Sequence, residues 1–168
     1  MTPLHDPAQE RRRILADIQQ LARNVARVVE GDIANLVQGI EVLGALRKTA
    51  YEDLNQLQHE ALILEAAVML EHELGATNIE WSWNPRQTGL LDEPDLRGAV
   101  NGETALSVEA TASESPDGAI DTRMRHTLQK LSVMPGRKVY CVRTEAMRRR
   151  AQTKVCKAGY DIKVRLVT

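Results

Sequence analysis

Two carboxylates in this chain are spaced to do chemistry together. Asp95 stands in Pro94-Asp95-Leu96-Arg97-Gly98, and Glu109 follows 14 positions later in Ser107-Val108-Glu109-Ala110-Thr111. Asn101-Gly102 between them is a hairpin turn signal, because both residue types accept the positive φ that a tight two-residue turn demands. A hairpin closed there sets the start of its first strand beside the end of its second and so brings Asp95 toward Glu109. Two carboxylates at one spot make an oxygen-only ligand set for Mg2+ or Mn2+, with the remaining positions left to water and phosphate. A cation held in this way polarises a phosphoryl oxygen and activates a water. Within 105–111, alternation puts Leu106, Val108 and Ala110 on one face and Ser107, Glu109 and Thr111 on the other. A mid-strand carboxylate in a sheet covered on both sides needs a partner, and Asp95 with a shared cation supplies one.

The cations come from further along the chain. On a helix starting near Ile120, Arg123, His126, Thr127 and Lys130 fall on one face at three- and four-residue spacing. Lys130 is expected to reach the acids; the plainer alternative is that Lys130 and Arg123 form a solvated helix face. Arg148, Arg149, Arg150, Lys154 and Lys157 make a second basic cluster. Spread around more than half of a helix, they cannot all meet one nucleic-acid backbone. Arg149 and Lys154, with Arg97, Arg123 and Lys130, are the candidates for phosphate contact, which would be strongly salt-dependent. An ordinary exposed face is the other reading of the run. Trp81 and Trp83 share a strand face and are expected in the core rather than in a base-stacking platform. His5, His59, His72 and His126 form no zinc pattern with a cysteine, and no Gly-rich phosphate loop or nucleophile elbow is present.

Periodicity outlines the elements that must position these groups. Ile14, Ile18, Leu21, Val25 and Val28 keep a 4-3-4-3 spacing, a heptad stripe. Beyond Gly31-Asp32 it resumes at Leu36, Ile40 and Leu43 and continues through Arg47, Ala50, Leu54, Leu57, Ala61, Leu64 and Val68. A four-residue insertion in the pattern coincides with Gly31, which costs about 1 kcal/mol in a helix relative to Ala. Two helices are therefore expected, over 8–30 and 33–74, with Gly75 ending the second. Such a stripe either folds back as an intramolecular hairpin or pairs with another chain. Because 14–50 precedes any strand and has no other core to cover, an oligomerising role is the expectation. Beyond Gly75, period-two alternation predicts strands over 78–84, 97–100 and 105–112, the first ended by Asn84-Pro85 and Gly89. A helix over 120–134, a strand over 138–143, a helix capped by Thr144 and a last strand over 160–167 follow.

With 168 residues and 43% apolar content, the chain fits one α/β domain over 55–168 carrying a helical extension over 1–54. The polar start is unlike a signal peptide, and no apolar run approaches the ~20 residues of a membrane helix. A soluble, cytoplasmic protein without a membrane partner is expected. Cys141 and Cys156 have no second pair, which argues against a disulfide framework and for two buried small apolar residues. The net charge of -1 conceals a segregation: 51–118 holds 2 basic and 14 acidic residues, whereas 119–168 holds 13 basic and 3 acidic. Carboxylates for cations in one half and Lys/Arg for phosphates in the other suit a phosphodiester enzyme. Mutual neutralisation across the fold or a dimer accounts for it equally.

The order helix, three strands, helix, strand, helix, strand over 57–167, with Pro94-Asp95 and Glu109-Ala110-Thr111 on the hairpin, resembles the PD-(D/E)XK, or restriction-endonuclease-like, nuclease superfamily. The resemblance implies a restriction-endonuclease-like core, a Mg2+-dependent endonuclease activity on DNA, and Asp95 and Glu109 as metal ligands. It also implies a ligand role for a glutamate in the helix before the first strand, for which Glu65 and Glu71 are both available. The superfamily's lysine, which orients or activates the attacking water, is replaced here by Thr111, and Lys130 is expected to supply the missing charge. The alternative is a catalytically inactive module of the same fold that binds DNA or protein and assembles into a homo-oligomer through its N-terminal helices.

Overall fold

The computed structural model of the chain describes residues 1–75, 78–85 and 92–167. Among these residues the chain forms four helices and one six-stranded mixed sheet, an α/β architecture with a long helical N-terminal region. Gly89 lies outside the described residues.

The N-terminal helices begin and end where local chemistry dictates. Asp6 caps α1 (Pro7–Val29), its carboxylate accepting from the backbone N–H groups of Ala8 and Gln9, and Pro7 sits where no N–H is needed. The chain leaves the helix after Val29, and Gly31 takes a φ of +119°. Asn35 caps α2 (Leu36–Leu74) through the N–H of Gln38, and Gly75 closes it in the left-handed conformation at φ 58°. The helices pack along each other as an intramolecular hairpin. The second half of α2 is buried against the sheet through Leu57, Leu62, Ile63, Leu64, Ala66, Ala67 and Leu70.

The sheet runs β1 (Thr2–Pro3), β2 (Glu80–Trp83), β3 (Leu96–Val100), β4 (Glu103–Thr111), β5 (Arg137–Val142) and β6 (Ile162–Leu166), in that spatial order. Pairing is antiparallel from β1 to β4 and parallel from β4 to β6. The parallel steps require crossovers, which α3 (Gly118–Ser132) and α4 (Glu145–Ala158) provide. One core joins α1 and α2 to Trp81, Trp83, Leu96, Leu106, Val108 and Val139. A second joins α3 and α4 to Tyr140, Val142 and Ile162 on the opposite face. Both faces of β4 and β5 are thereby covered. No helix among the described residues is long and apolar enough to cross a membrane.

Three features differ from the sequence-based expectations. Strand β1 has no counterpart among them, since two residues, one of them proline, carry no periodicity; it pairs with β2, and the Leu4 N–H donates to Trp81 O at 2.8 Å. Leu4 and Ile14 are both buried in the core. In β6 the outward side is only partly wet, because Arg165 reaches Glu73 of α2 at 3.0 Å. Cys141 is buried, but Cys156 is exposed: α4 turns Met147, Ala151 and Val155 inward, and the next residue points away.

Candidate functional site

The hairpin register places the acids. Leu96 pairs with Val108 and Arg97 with Ser107 in antiparallel order, which sets Asp95 opposite Glu109 at the end of the β3–β4 pair. Asp95 is fixed there from two sides. Its Oδ2 accepts the Ala110 N–H at 2.8 Å and lies 3.3 Å from His59 Nε2. The same His59 nitrogen is 3.2 Å from Ala110 O. Helix α2 therefore delivers an imidazole to both the carboxylate and the backbone of β4.

Glu109 is buried, as is Tyr140, its Cα partner on β5, and opposed residues share a sheet face. Lys130, in the last turn of α3, brings its Nζ to 2.6 Å from Glu109 Oε1. This contact is an ion pair without the directed geometry of a good hydrogen bond. Thr111 is engaged otherwise: its Oγ1 accepts the Tyr140 hydroxyl at 2.7 Å.

Charge is balanced tightly in this space. Burial, and then the neighbouring Asp95, push the Glu109 carboxyl up to about 8, against the opposing pull of Lys130 and His59. Burial works to lower His59, but Asp95, the Ala110 carbonyl and Glu109 together outweigh it and the net shift is upward. Burial raises the Tyr140 hydroxyl to about 12, with the Thr111 contact acting in the opposite direction. Each acid thus carries its own basic neighbour, Asp95 with His59 and Glu109 with Lys130.

The other expected site residues stand elsewhere. Glu65 is half exposed and paired with Arg11 at 2.7 Å, and Glu71 is exposed. On α2 it is His59, not a glutamate, that meets the hairpin acids. Arg97 is exposed on the sheet face it shares with Ser107, and Arg123 is exposed on α3. Arg149 is held by Glu145 at 3.1 Å, and Lys154 by Asp121 at 3.0 Å, beside Arg150. Arg148 and Arg149 hold the Glu145 carboxyl down at about 2. Four of the five cations on α4 are thus ion-paired, but they share only two carboxylates, Glu145 of their own helix and Asp121 of the preceding one, so the cluster stays net positive.

His59 had no signal of its own in the sequence, where it is a single histidine in a long helix. Only the packing of α2 against β4 reveals it. Among the described residues no group of three or more His, Cys, Asp or Glu side chains is arranged to hold a metal ion. A cation here would rest on two carboxylates and take its remaining ligands from water and substrate, as Mg2+ commonly does. No known protein family, curated protein or solved structure matches the chain.

Proposed function

We propose that this chain is a Mg2+-dependent, nuclease-like protein with a restriction-endonuclease-like core, hydrolysing phosphodiester bonds in DNA. The observation that carries this reading is the approach of Lys130 to 2.6 Å from Glu109, which stands opposite Asp95 on the hairpin. Two acids and a lysine converge although Thr111 occupies the expected lysine position. The donor set fits a hard divalent cation. It is all oxygen, and the ionised form of Glu109 is disfavoured by burial and by Asp95, a strain that bound positive charge relieves. Asp95 and Glu109 would hold the ion, whose contribution is to polarise the phosphoryl oxygen and acidify a bound water.

The chain's own residues supply the rest. Lys130 has three N–H donors; while its ammonium stays against Glu109 as an ion pair, they can hold a phosphate oxygen or the attacking water. Thr111 cannot do this, because its hydroxyl carries no charge and already accepts from Tyr140. His59 orients Asp95 against the strand.

The test uses purified full-length protein with Mg2+ or Mn2+ and plasmid, linear and branched DNA. Cleavage is expected, lost on Asp95→Ala and on Glu109→Ala and reduced at least about 100-fold on Lys130→Met, the scale of removing one charge-stabilising donor. If all three DNAs stay intact and neither ion raises the melting temperature, the enzyme reading fails.

A second reading, a catalytically silent module that binds DNA or protein, is favoured by the internal pairing of both acids, Asp95 with His59 and Glu109 with Lys130. It predicts no cation-dependent stabilisation, and partner binding that survives Glu109→Ala.

A further inference from the structure

The first half of α2 carries an apolar stripe that nothing among the described residues covers. Leu36 is 80% exposed, Leu43 66%, Ile40 61% and Leu54 49%, although the heptad spacing that places them continues into residues buried against the sheet. Helix α1 does not cover them, because the partly buried residues of this half, Val42, Leu46 and Thr49 among them, lie on another side of α2.

Gly44 lies in the middle of this stripe. A mid-helix glycine is unfavourable by about 1 kcal/mol relative to Ala. No contact among the described residues calls for it, since an added Cβ would meet nothing within 4 Å. A shallow depression of about 340 Å³ opens beside it, lined by Gly44, Arg47, Lys48, Tyr51 and Glu52. Four of these follow the i, i+3, i+4, i+7 diamond that forms the hole of a knobs-into-holes contact, and Arg47 lies over the Tyr51 ring at 5.8 Å as one wall. A small residue at a helix crossing lets the axes approach closely.

We infer that this face docks a second copy of the same chain, α2 against α2, antiparallel about a two-fold axis at Gly44. The choice of partner rests on self-complementarity. Turned end for end about Gly44, the stripe sets Ile40 over the hole beside Lys48 and Val37 over Tyr51. An isologous contact requires each patch to match itself in this way. Charge agrees at the rim, where Glu41 of one copy comes opposite Arg47 of the other, twice by symmetry. Within one chain, neither has an ion-pair partner among the described residues. The inference does not depend on the chemistry of the hairpin site.

Sedimentation equilibrium of the full-length protein tests it. The wild type should have twice the 18.7 kDa of one chain. Ile40→Asp, at an exposed position where folding is unaffected, should weaken the dimer at least about 30-fold, as loss of a central anchor does. Glu41→Arg and Arg47→Glu should each weaken it, and the double variant should restore it, an outcome that a partner of different sequence would not produce. Circular dichroism of each variant checks that α2 remains helical. A monomeric wild type overturns the proposal, as does a dimer indifferent to Ile40→Asp or a charge exchange that does not restore binding.

Discussion

The carboxyl of Glu109 shows how burial sets a residue's chemistry. In an unfolded chain it titrates near 4.5, whereas in the fold burial and Asp95 push it up to about 8. Between these values the native state holds a proton that the unfolded state has lost, so the stability contributed by Glu109 is present at low pH and falls as pH rises to about 8. Glu109→Gln keeps the shape and abolishes the titration. In metal-free buffer, the variant's melting temperature relative to wild type should therefore climb between pH 5 and about 8 and then level off. A difference that stays flat across this range would mean that burial and Asp95 do not raise Glu109 as described. The meeting of Asp95 and Glu109 was legible in the sequence because a turn dipeptide and strand alternation together fix which residues oppose each other. Lys130 was legible from helical spacing. His59 was not, because its place depends on how a helix packs some 50 residues away from its partner, Ala110. The place of Glu65 was not legible for the same reason: helix phase alone does not say which side faces the hairpin, and Glu65 pairs with Arg11.

Element boundaries follow local chemistry closely, so most helices and strands were readable and the exceptions were those defined by tertiary contact. The break at Gly31 and the stops at Gly75 and Gly159 each combine a helix-ending glycine with a change of pattern, whereas β1 exists only because Trp81 and Trp83 offer an edge to pair with. Pro135-Gly136 reads as a helix stop in the sequence, but the structure gives Gly136 a second duty. It has a φ of +72°, and a Cβ there would lie 2.6 Å from Ala105 O and 2.8 Å from Thr104 O, backbone atoms of β4 that cannot yield. Gly159 has a φ of +67° with nothing within 4 Å, so its substitution tests the backbone conformation alone. Urea denaturation should show Gly159→Ala losing about 1 kcal/mol and Gly136→Ala at least about 2 kcal/mol more. Equal losses would mean that the close approach of β4 to the α3–β5 connection is unimportant.

At the scale of the whole molecule, part of the segregation of charge is resolved by folding. The acidic middle of the chain is met from both flanks: Arg13 reaches Glu60 and Arg11 reaches Glu65, each at 2.7 Å, while Lys130 pairs with Glu109 and Arg165 with Glu73. These links run to the N-terminal residues as well as to the C-terminal ones, and this bears on where the domain begins. A fragment starting at residue 55 retains the whole order of elements that resembles a nuclease core. It loses β1, the buried Leu4 and Ile14, and the Arg13 guanidinium that meets fully buried Glu60. Each apolar side chain contributes about 1.5–3 kcal/mol by burial, and removing the partner of a buried charge costs about 3 kcal/mol more. The combined loss rivals the ~5–15 kcal/mol that separates a folded domain from its unfolded chain. The fragment 55–168 should therefore lack a cooperative melting transition and show red-shifted tryptophan emission, because Trp81 and Trp83 are buried beneath the elements removed. The intact chain should melt cooperatively with blue-shifted emission. A fragment with native emission and a sharp transition would place the domain boundary after α1 and leave the N-terminal contacts without weight in the fold.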